Sequence, residues 1–206
     1  MGRRHQYDLR QRVAQEAARI ISEQGITDFR AAKHKAAERC GLREHHHLPG
    51  NEEIEAALRE HQRLFGGDRH RTQLKRLRAA ASKAMRVLEQ FQPKLVGPVL
   101  SGLATEHSDV QLHLFADRAE NVELFLRNRG MSCDISERRF RLRGDDYRQQ
   151  PVYRFVVDAV GIDAAVFSLD SLRQAPCSPV DGSPMRRAGL DEVERLAEEP
   201  ASALFG

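Results

Sequence analysis

Apolar side chains recur at spacings of three and four through roughly the first 90 residues, which places them on one face of a helix. The first stripe begins at Leu9 and ends before Gly25, and later stripes end at Gly41, at Gly66-Gly67 and before Pro93. The pattern predicts four helices, over about residues 9–24, 27 or 28–40, 51–65 and 71–91. Asn51 is the expected cap of the third helix.

From Lys94 the pattern changes to alternation, which is typical of strands with one buried face. Strands are predicted over residues 95–100, 110–115, 132–142, 152–159 and 162–168, with helices over 118–128 and 191–199 and a proline-rich extended segment over 174–187. The order predicts an α+β fold. A helical N-terminal region (residues 1–92) precedes an α+β domain (residues 93–206) with a mixed or antiparallel sheet and flanking helices.

The composition is that of an ordinary globular chain of 206 residues, 40% hydrophobic and 31% charged. The longest apolar runs fall short of the roughly 18–20 residues that a membrane-spanning helix needs, and the charged start is not followed by an apolar region. We therefore expect a cytoplasmic protein with no membrane partner. The wide spacing of Cys40, Cys133 and Cys177 favours reduced thiols.

The net charge of +3 hides an unequal distribution, with +7 over residues 1–91 and −4 over residues 92–206. A basic half favours contact with a polyanion, here nucleic acid bound through the N-terminal helices. The fourth predicted helix adds Arg71, Lys75, Arg78 and Arg86 opposite its apolar stripe. Solvated surfaces of unequal charge explain the same pattern.

Polar side chains share one face of the predicted strand at residues 110–115. Asp109, Gln111 and His113 alternate with apolar residues and so project to one side. The Ser101-Gly102 turn before them offers amides and a hydroxyl to phosphates. Because Mg²⁺ prefers carboxylate oxygens, these residues predict a phosphate-binding turn beside a metal-binding strand.

A further acidic pair lies on the last two predicted strands. A two-residue turn at Val160-Gly161 would place Asp158 directly opposite Asp163. Like charges so placed repel each other unless a cation or a basic residue lies between them. The hairpin therefore predicts a positive charge near these two carboxylates.

Three segments resemble parts of the nucleotidyltransferase superfamily typified by DNA polymerase beta. In chain order, these parts are a turn, a strand that carries a pair of acids and a later strand that carries a third acid. The segments are Ser101-Gly102, Ser108-Asp109-Val110-Gln111 and Ile162-Asp163-Ala164. Nearly the whole chain also resembles uncharacterised bacterial proteins often labelled nucleotidyltransferases. This closer resemblance rests on Asp28-Phe-Arg-Ala-Ala-Lys-His-Lys-Ala-Ala, Leu112-His-Leu-Phe-Ala-Asp117 and Ser178-Pro-Val-Asp-Gly182.

The resemblance implies a nucleotidyltransferase-like fold and the transfer of a nucleotidyl group from a nucleoside triphosphate to an unknown acceptor. It implies Asp109 and Asp163 as catalytic residues that bind Mg²⁺ or Mn²⁺, with His113 as a further metal ligand. The residues implied to contact the nucleotide are Ser101, Gly102, Ser108 and Gln111.

Gln111 departs from the superfamily pattern, which has a carboxylate at this position. A neutral amide holds a bridging metal weakly, so two-metal catalysis would lose several kcal/mol of transition-state stabilisation. The alternative function is therefore a catalytically inactive protein of the same fold that acts as a scaffold for nucleic acid or protein.

Two weaker patterns lie in the first half of the chain. His45-His46-His47 has the residue type for a transition-metal site, but contiguous loop histidines are more often solvated. Residues 19–42 resemble the opening of a tetracycline-repressor-type helix-turn-helix domain, which implies transcriptional regulation as a third hypothesis. Pro49 lies where the recognition helix should begin, which argues against it.

Overall fold

Seven helices and one five-stranded sheet form the protein in a computed structural model that describes residues 3–26, 28–42 and 48–198. The helices are α1 (Arg3–Gln24), α2 (Phe29–Arg39), α3 (Asn51–Phe65), α4 (Gly67–Val87), α5 (Gly97–Ser101), α6 (Glu120–Asn128) and α7 (Leu190–Glu198). The strands are β1 (Lys94–Val96), β2 (Val110–Phe115), β3 (Asp134–Arg143), β4 (Asp146–Val157) and β5 (Val160–Phe167). Short 3₁₀ helices cover Glu89–Phe91 and Leu169–Leu172. The predicted α+β class is confirmed.

The sheet is mixed, with the strand order β1-β2-β5-β4-β3. The central strands β2 and β5 run parallel and align Gln111 with Asp163, whereas the other neighbouring strands are antiparallel. At one edge, β1 is short and bridges to Ala188. At the other edge, β3 is ten residues long.

Strand alternation separates the main core from the candidate site. One face of the sheet is buried against α4, α6 and α7, with alternate residues of the two central strands in the core: Val110, Leu112, Leu114, Ile162, Ala164 and Val166. The opposite face carries Gln111 and Asp163, and beside them lies a smaller apolar cluster that contains Phe115 and Phe167.

Helices α1, α2 and α3 pack around a second core. Its buried residues include Val13 and Ile20 of α1, Ala36 of α2 and Ile54 of α3. Helix α4 instead buries its apolar stripe in the core of the sheet. The two cores therefore divide between α3 and α4, while the domain boundary at residue 92 stays a prediction.

Helix α4 begins at Gly67, before the predicted residue 71, and the start of α3 also differs from the prediction. Asn51 is the first helical residue, and Gly50 occupies the cap position. The Gly50 N–H donates to Glu53 Oε2 at 2.6 Å, so a carboxylate reaching back from the first turn satisfies the amide there.

The strand predicted over residues 95–100 ends early, at Val96. Gly97 has φ +71°, and Pro98 follows in the first turn of α5, a position that proline favours. The apolar residues Val99 and Leu100 are therefore buried from a short helix rather than from a strand.

The turn of the β4–β5 hairpin is also shifted. Val157 pairs with Val160, so Asp158 and Ala159 form the two-residue turn, with φ +50° and +58° as a type I′ turn requires. The predicted pairing of Asp158 with Asp163 is therefore wrong.

Both carboxylates nevertheless have basic partners. Asp158 forms an ion pair with Lys83 of α4. Arg154 is the residue directly opposite Asp163 across β4 and β5. The expectation of positive charge beside these acids is met by side chains of the protein.

Thr27 and the His45-His46-His47 run lie outside the described residues. Among the residues that are described, every helix is too short or too polar to cross a membrane.

Candidate functional site

A cavity of about 760 Å³ lies between the N-terminal helices and the sheet. Residues of α1, α2 and α3 form one wall, and α5, the start of β2 and residues 178–186 form the other. Ser101, Ser108 and Gln111, three of the four residues predicted to contact a nucleotide, line this cavity. The fold therefore brings together residues that the sequence analysis selected separately.

Cationic side chains line the same cavity. Arg30 and Lys33 reach it from α2, and Arg186 reaches it from the segment before α7. Burial lowers the pKa of Lys33, which the charge of Glu53 opposes. Arg186 forms an ion pair with Glu192 at 2.5 Å.

The acids of the cavity wall are engaged with neighbouring groups. Asp28 caps α2 by accepting the Arg30 N–H at 2.7 Å. Asp181 accepts the N–H and hydroxyl of Ser183 at 3.0 and 2.9 Å. The cavity wall therefore carries both cations and carboxylates, and the carboxylates of Asp28 and Asp181 already accept hydrogen bonds from neighbouring residues.

Gly97 is a site residue that the sequence analysis missed. A Cβ atom added at this glycine would lie 2.5 Å from Gln111 Oε1, and both residues line the cavity. The glycine thus lets the backbone after β1 approach the amide of β2. The available signal was the Gly97-Pro98 pair, a common breaker of strands.

Gly102 lies elsewhere than predicted. It ends α5 with φ +82°, and its carbonyl oxygen accepts a hydrogen bond from His70 Nε2 at 3.0 Å. It is absent from the described residues that line the cavity. A glycine is favoured at the end of α5 because the backbone there has a positive φ.

The carboxylates of Asp109 and Asp163 are held by arginines. Arg154 forms an ion pair with Asp109 and lies 3.8 Å from Asp163, measured from Nε to Oδ1. Arg138 Nη2 donates to Asp163 Oδ2 at 2.7 Å. Only 12% of the Asp163 side chain is exposed, so these guanidinium groups compensate a largely buried charge.

Gly161 allows Asp109 to reach this position. A Cβ atom at Gly161 would overlap the Asp109 carboxylate, which therefore packs directly against the β5 backbone. Asp109 and Asp163 do not line the cavity that Gln111 lines. The two acids therefore lie beside the cavity and not in its wall. Gln111 lines the cavity and is the β2 residue aligned with Asp163 of β5.

Replacing Arg154 tests the arginine and carboxylate cluster. We expect Arg154→Ala to lower the free energy of unfolding by about 1 kcal/mol, a modest value because Arg154 is 56% exposed. Arg154→Ala/Asp109→Asn should recover part of that loss, since one unpaired charge is removed. Urea unfolding measures both. Arg148→Ala, which removes a 3.5 Å surface pair, is the control and should leave stability nearly unchanged.

His113 is a buried residue of the smaller apolar cluster. Its side chain contacts the rings of Phe140 and Phe167, and Arg187 Nε donates to His113 Nδ1 at 3.1 Å. Burial lowers the pKa of His113 to about 3, with smaller contributions from Arg187 and Arg138. The imidazole is therefore neutral, and its acceptor nitrogen is occupied by Arg187.

The carboxylates predicted to bind a metal are paired with arginines in this structure. Among the described residues, no group of three or more histidine, cysteine or acidic side chains is placed to hold a metal ion. A cation at Asp109 and Asp163 would have to displace the guanidinium groups of Arg154 and Arg138. Binding of Mg²⁺ or Mn²⁺, with Asp109, Asp163 and His113 as ligands, stays a prediction.

Many cations of the N-terminal half are paired with acids. Ion pairs join Arg10 to Glu53, Arg19 to Glu16 and Glu23, Arg39 to Glu16, Arg59 to Glu55, Arg63 to Glu60, Arg69 to Glu106, Arg71 to Asp68, and Arg86 to Glu194. Arg78, predicted on the exposed basic face of the fourth helix, is buried and donates to the Leu196 carbonyl oxygen at 3.0 Å. Much of the basic surface is therefore neutralised locally.

Neither the protein-family models, nor the curated proteins, nor the solved structures searched contain a match to this chain.

Proposed function

We propose that this protein is a nucleotidyltransferase-like nucleotide-binding protein that holds a nucleoside triphosphate in the cavity lined by Ser101, Ser108 and Gln111. The observation that carries the proposal is the convergence of these three residues with Arg30 and Lys33 on one cavity. Ligand cavities typically combine apolar walls with a few polar groups and have volumes of roughly 300–1,000 Å³. The cavity described above falls in that range.

The chemistry of the walls suits both parts of a nucleotide. Apolar side chains, including Ile26, Phe29 and Leu103, offer a surface to a base. Arginine and lysine pair with phosphate oxygens, and serine hydroxyls donate to them. A free phosphate would use only the charged part of this cavity, whereas a nucleotide uses both.

The proposed binding is independent of a divalent metal. The arginine partners of Asp109 and Asp163 already supply positive charge at these carboxylates. Gln111 is neutral and adds no further carboxylate for a metal. We therefore propose a protein that binds a nucleotide without transferring it. It shares the absence of catalysis with the alternative that Gln111 suggests in the sequence, but that alternative was a scaffold for nucleic acid or protein.

Calorimetric titration of ATP, CTP, GTP and UTP tests the proposal. Each nucleotide is titrated with magnesium, with manganese and with a chelator. We expect at least one to bind with similar affinity in all three conditions. Absence of binding in every condition contradicts the proposed function.

Lys33→Ala should weaken nucleotide binding at least about tenfold, because a charge-assisted hydrogen bond contributes roughly 1.5–3 kcal/mol. The matched control is Lys35→Ala, on the same helix but outside the cavity lining. Equal affinities of the two variants would place the nucleotide elsewhere. Circular dichroism of both variants checks that each remains folded.

Nucleotidyl transfer is the second candidate function. It is favoured by the register of β2 and β5, which sets Gln111 beside Asp163 just after Asp109. In that reaction an acceptor hydroxyl bonds to the α-phosphorus, the bond to the β-phosphate oxygen breaks, and the hydroxyl proton passes to a base. Release of pyrophosphate from labelled nucleotide with Mn²⁺, lost in Asp109→Ala, would favour transfer over binding alone.

A further inference from the structure

The β3–β4 hairpin extends the sheet as a ribbon whose arginines differ from those of the N-terminal helices. Arg139, Arg141 and Arg143 follow one another along β3, the long edge strand. None of the described carboxylates lies within 4.0 Å of their guanidinium groups, whereas Arg138 and Arg148 each have one. We propose that this ribbon binds single-stranded nucleic acid through Arg139, Arg141, Arg143 and Tyr147.

The arrangement of the arginines follows from strand geometry. Arg139 and Arg141 project to the same side of β3, roughly 6.6–6.8 Å apart along the strand. Arg143 follows an irregularity in the register of β3 and β4. Its strand partner, opposite it at the end of the hairpin, is Asp146. Arg139 and Arg141 thus place two cations along an extended strand, which matches a polyanion that is itself extended.

Tyr147 supplies an aromatic surface within this row. It pairs with Arg141 across the strands, and 44% of it is exposed. The Arg139 guanidinium lies 4.1 Å from the centre of its ring. A tyrosine ring beside arginines that have no carboxylate partner can bind both an unstacked base and its phosphate. A duplex keeps its bases out of such contact.

Acidic residues delimit the surface. Glu137 precedes the arginines on β3, and Asp145 and Asp146 follow them in the hairpin turn. The positive stretch is therefore short and engages only a few phosphates. The hairpin of the acidic half is therefore proposed as a nucleic-acid surface in place of the basic N-terminal half, where many of the cations are paired with acids.

The test is fluorescence anisotropy of a labelled 20-nucleotide polyuridine RNA in about 50 mM salt. Arg139→Ala/Arg141→Ala/Arg143→Ala should weaken binding at least about tenfold and reduce the slope of log affinity against log salt by about 2, since each phosphate contact contributes about 0.7. Tyr147→Ala should weaken binding about fivefold or more, and Tyr147→Phe should not, because stacking needs only the ring. Arg139→Glu is a second variant with a single change.

A control variant removes the same charge from the N-terminal helices: Arg12→Ala/Lys35→Ala/Lys75→Ala. It should retain binding within about twofold, as the proposed surface is intact. Equal losses in the two triple variants, tighter binding of a duplex or of a polyglutamate peptide, or absence of RNA binding by the unmodified protein would overturn the proposal.

This inference is independent of the proposed nucleotide site. The ribbon residues Arg139, Arg141, Arg143 and Tyr147 do not line the cavity. The triple ribbon variant should therefore keep its nucleotide affinity, and Lys33→Ala should keep its RNA affinity. Failure of one proposal is distinguishable from failure of the other.

Discussion

Lowering the pH from 7 to 5 is expected to reduce the free energy of unfolding by about 2 kcal/mol through His113 alone. Its pKa is about 3 in the folded protein, against an ordinary value of 6.5. The unfolded chain therefore binds a proton in this range that the folded protein excludes. Stability is complete above about pH 6.5 and decreases as the pH falls towards 3.

The physical origin of this effect is the position of His113 on β2. The side chain is 2% exposed, so protonation would bury a charge. The donor Arg187 makes the protonated form still less favourable, because both partners would then be positive. The lowered pKa of Glu16, about 2, acts only below about pH 4.5 and leaves the range between pH 7 and 5 unaffected.

Urea unfolding at pH 7 and pH 5 measures the expected change. His113→Asn retains an acceptor for Arg187 but cannot be protonated, so its stability should change far less between the two pH values. His70→Asn is the comparison, because burial also lowers the pKa of the half-buried His70. A pH dependence equal in His113→Asn and in the unmodified protein would contradict the assignment.

Gly97→Ala is expected to destabilise the protein by about 2–5 kcal/mol and to abolish nucleotide binding. A left-handed conformation costs an L-residue about 1–2 kcal/mol, and overpacking adds roughly 1–3 kcal/mol. Both apply here, since φ is +71° and the new Cβ would lie 2.5 Å from Gln111 Oε1. Thermal unfolding measures stability, and calorimetry measures the loss of affinity.

Gly130→Ala is a matched control for this substitution. Gly130 has φ +69°, and a Cβ atom there would meet no described atom within 4 Å. The Gly130→Ala variant therefore measures only the cost of the left-handed backbone conformation. Gly97→Ala/Gln111→Ala removes the contact and should recover part of the lost stability. If Gly97→Ala and Gly130→Ala lower the free energy of unfolding equally, the close contact of the new Cβ atom with Gln111 has no energetic consequence.

The local elements could be predicted from the sequence because they depend on neighbouring residues. Strand β2 has the predicted bounds, and the helices of the N-terminal half follow the predicted apolar stripes. Errors arose where backbone conformation overrode the apolar pattern. Gly97-Pro98 ended β1, and a positive-φ turn at Asp158-Ala159 displaced the predicted hairpin turn.

Only part of the candidate site could be predicted. Strand alternation placed Asp109, Gln111 and His113 on one face, but it carries no information on depth or on partners. His113 is buried under aromatic rings, whereas Asp109 meets Arg154 at the surface. These environments depend on strands and segments far apart in the chain.

The sequence by itself determined the α+β class, the change from helices to strands and the presence of acids, serines and cations in the second half of the chain, because periodicity and residue chemistry are local properties. Tertiary structure alone decided which charges meet. The parallel pairing of β2 with β5 set Gln111 beside Asp163, and the hairpin register brought Arg154 to the acids. Pairing register and packing are contacts between distant residues, and such contacts determine whether a carboxylate is available to a metal or is held by an arginine.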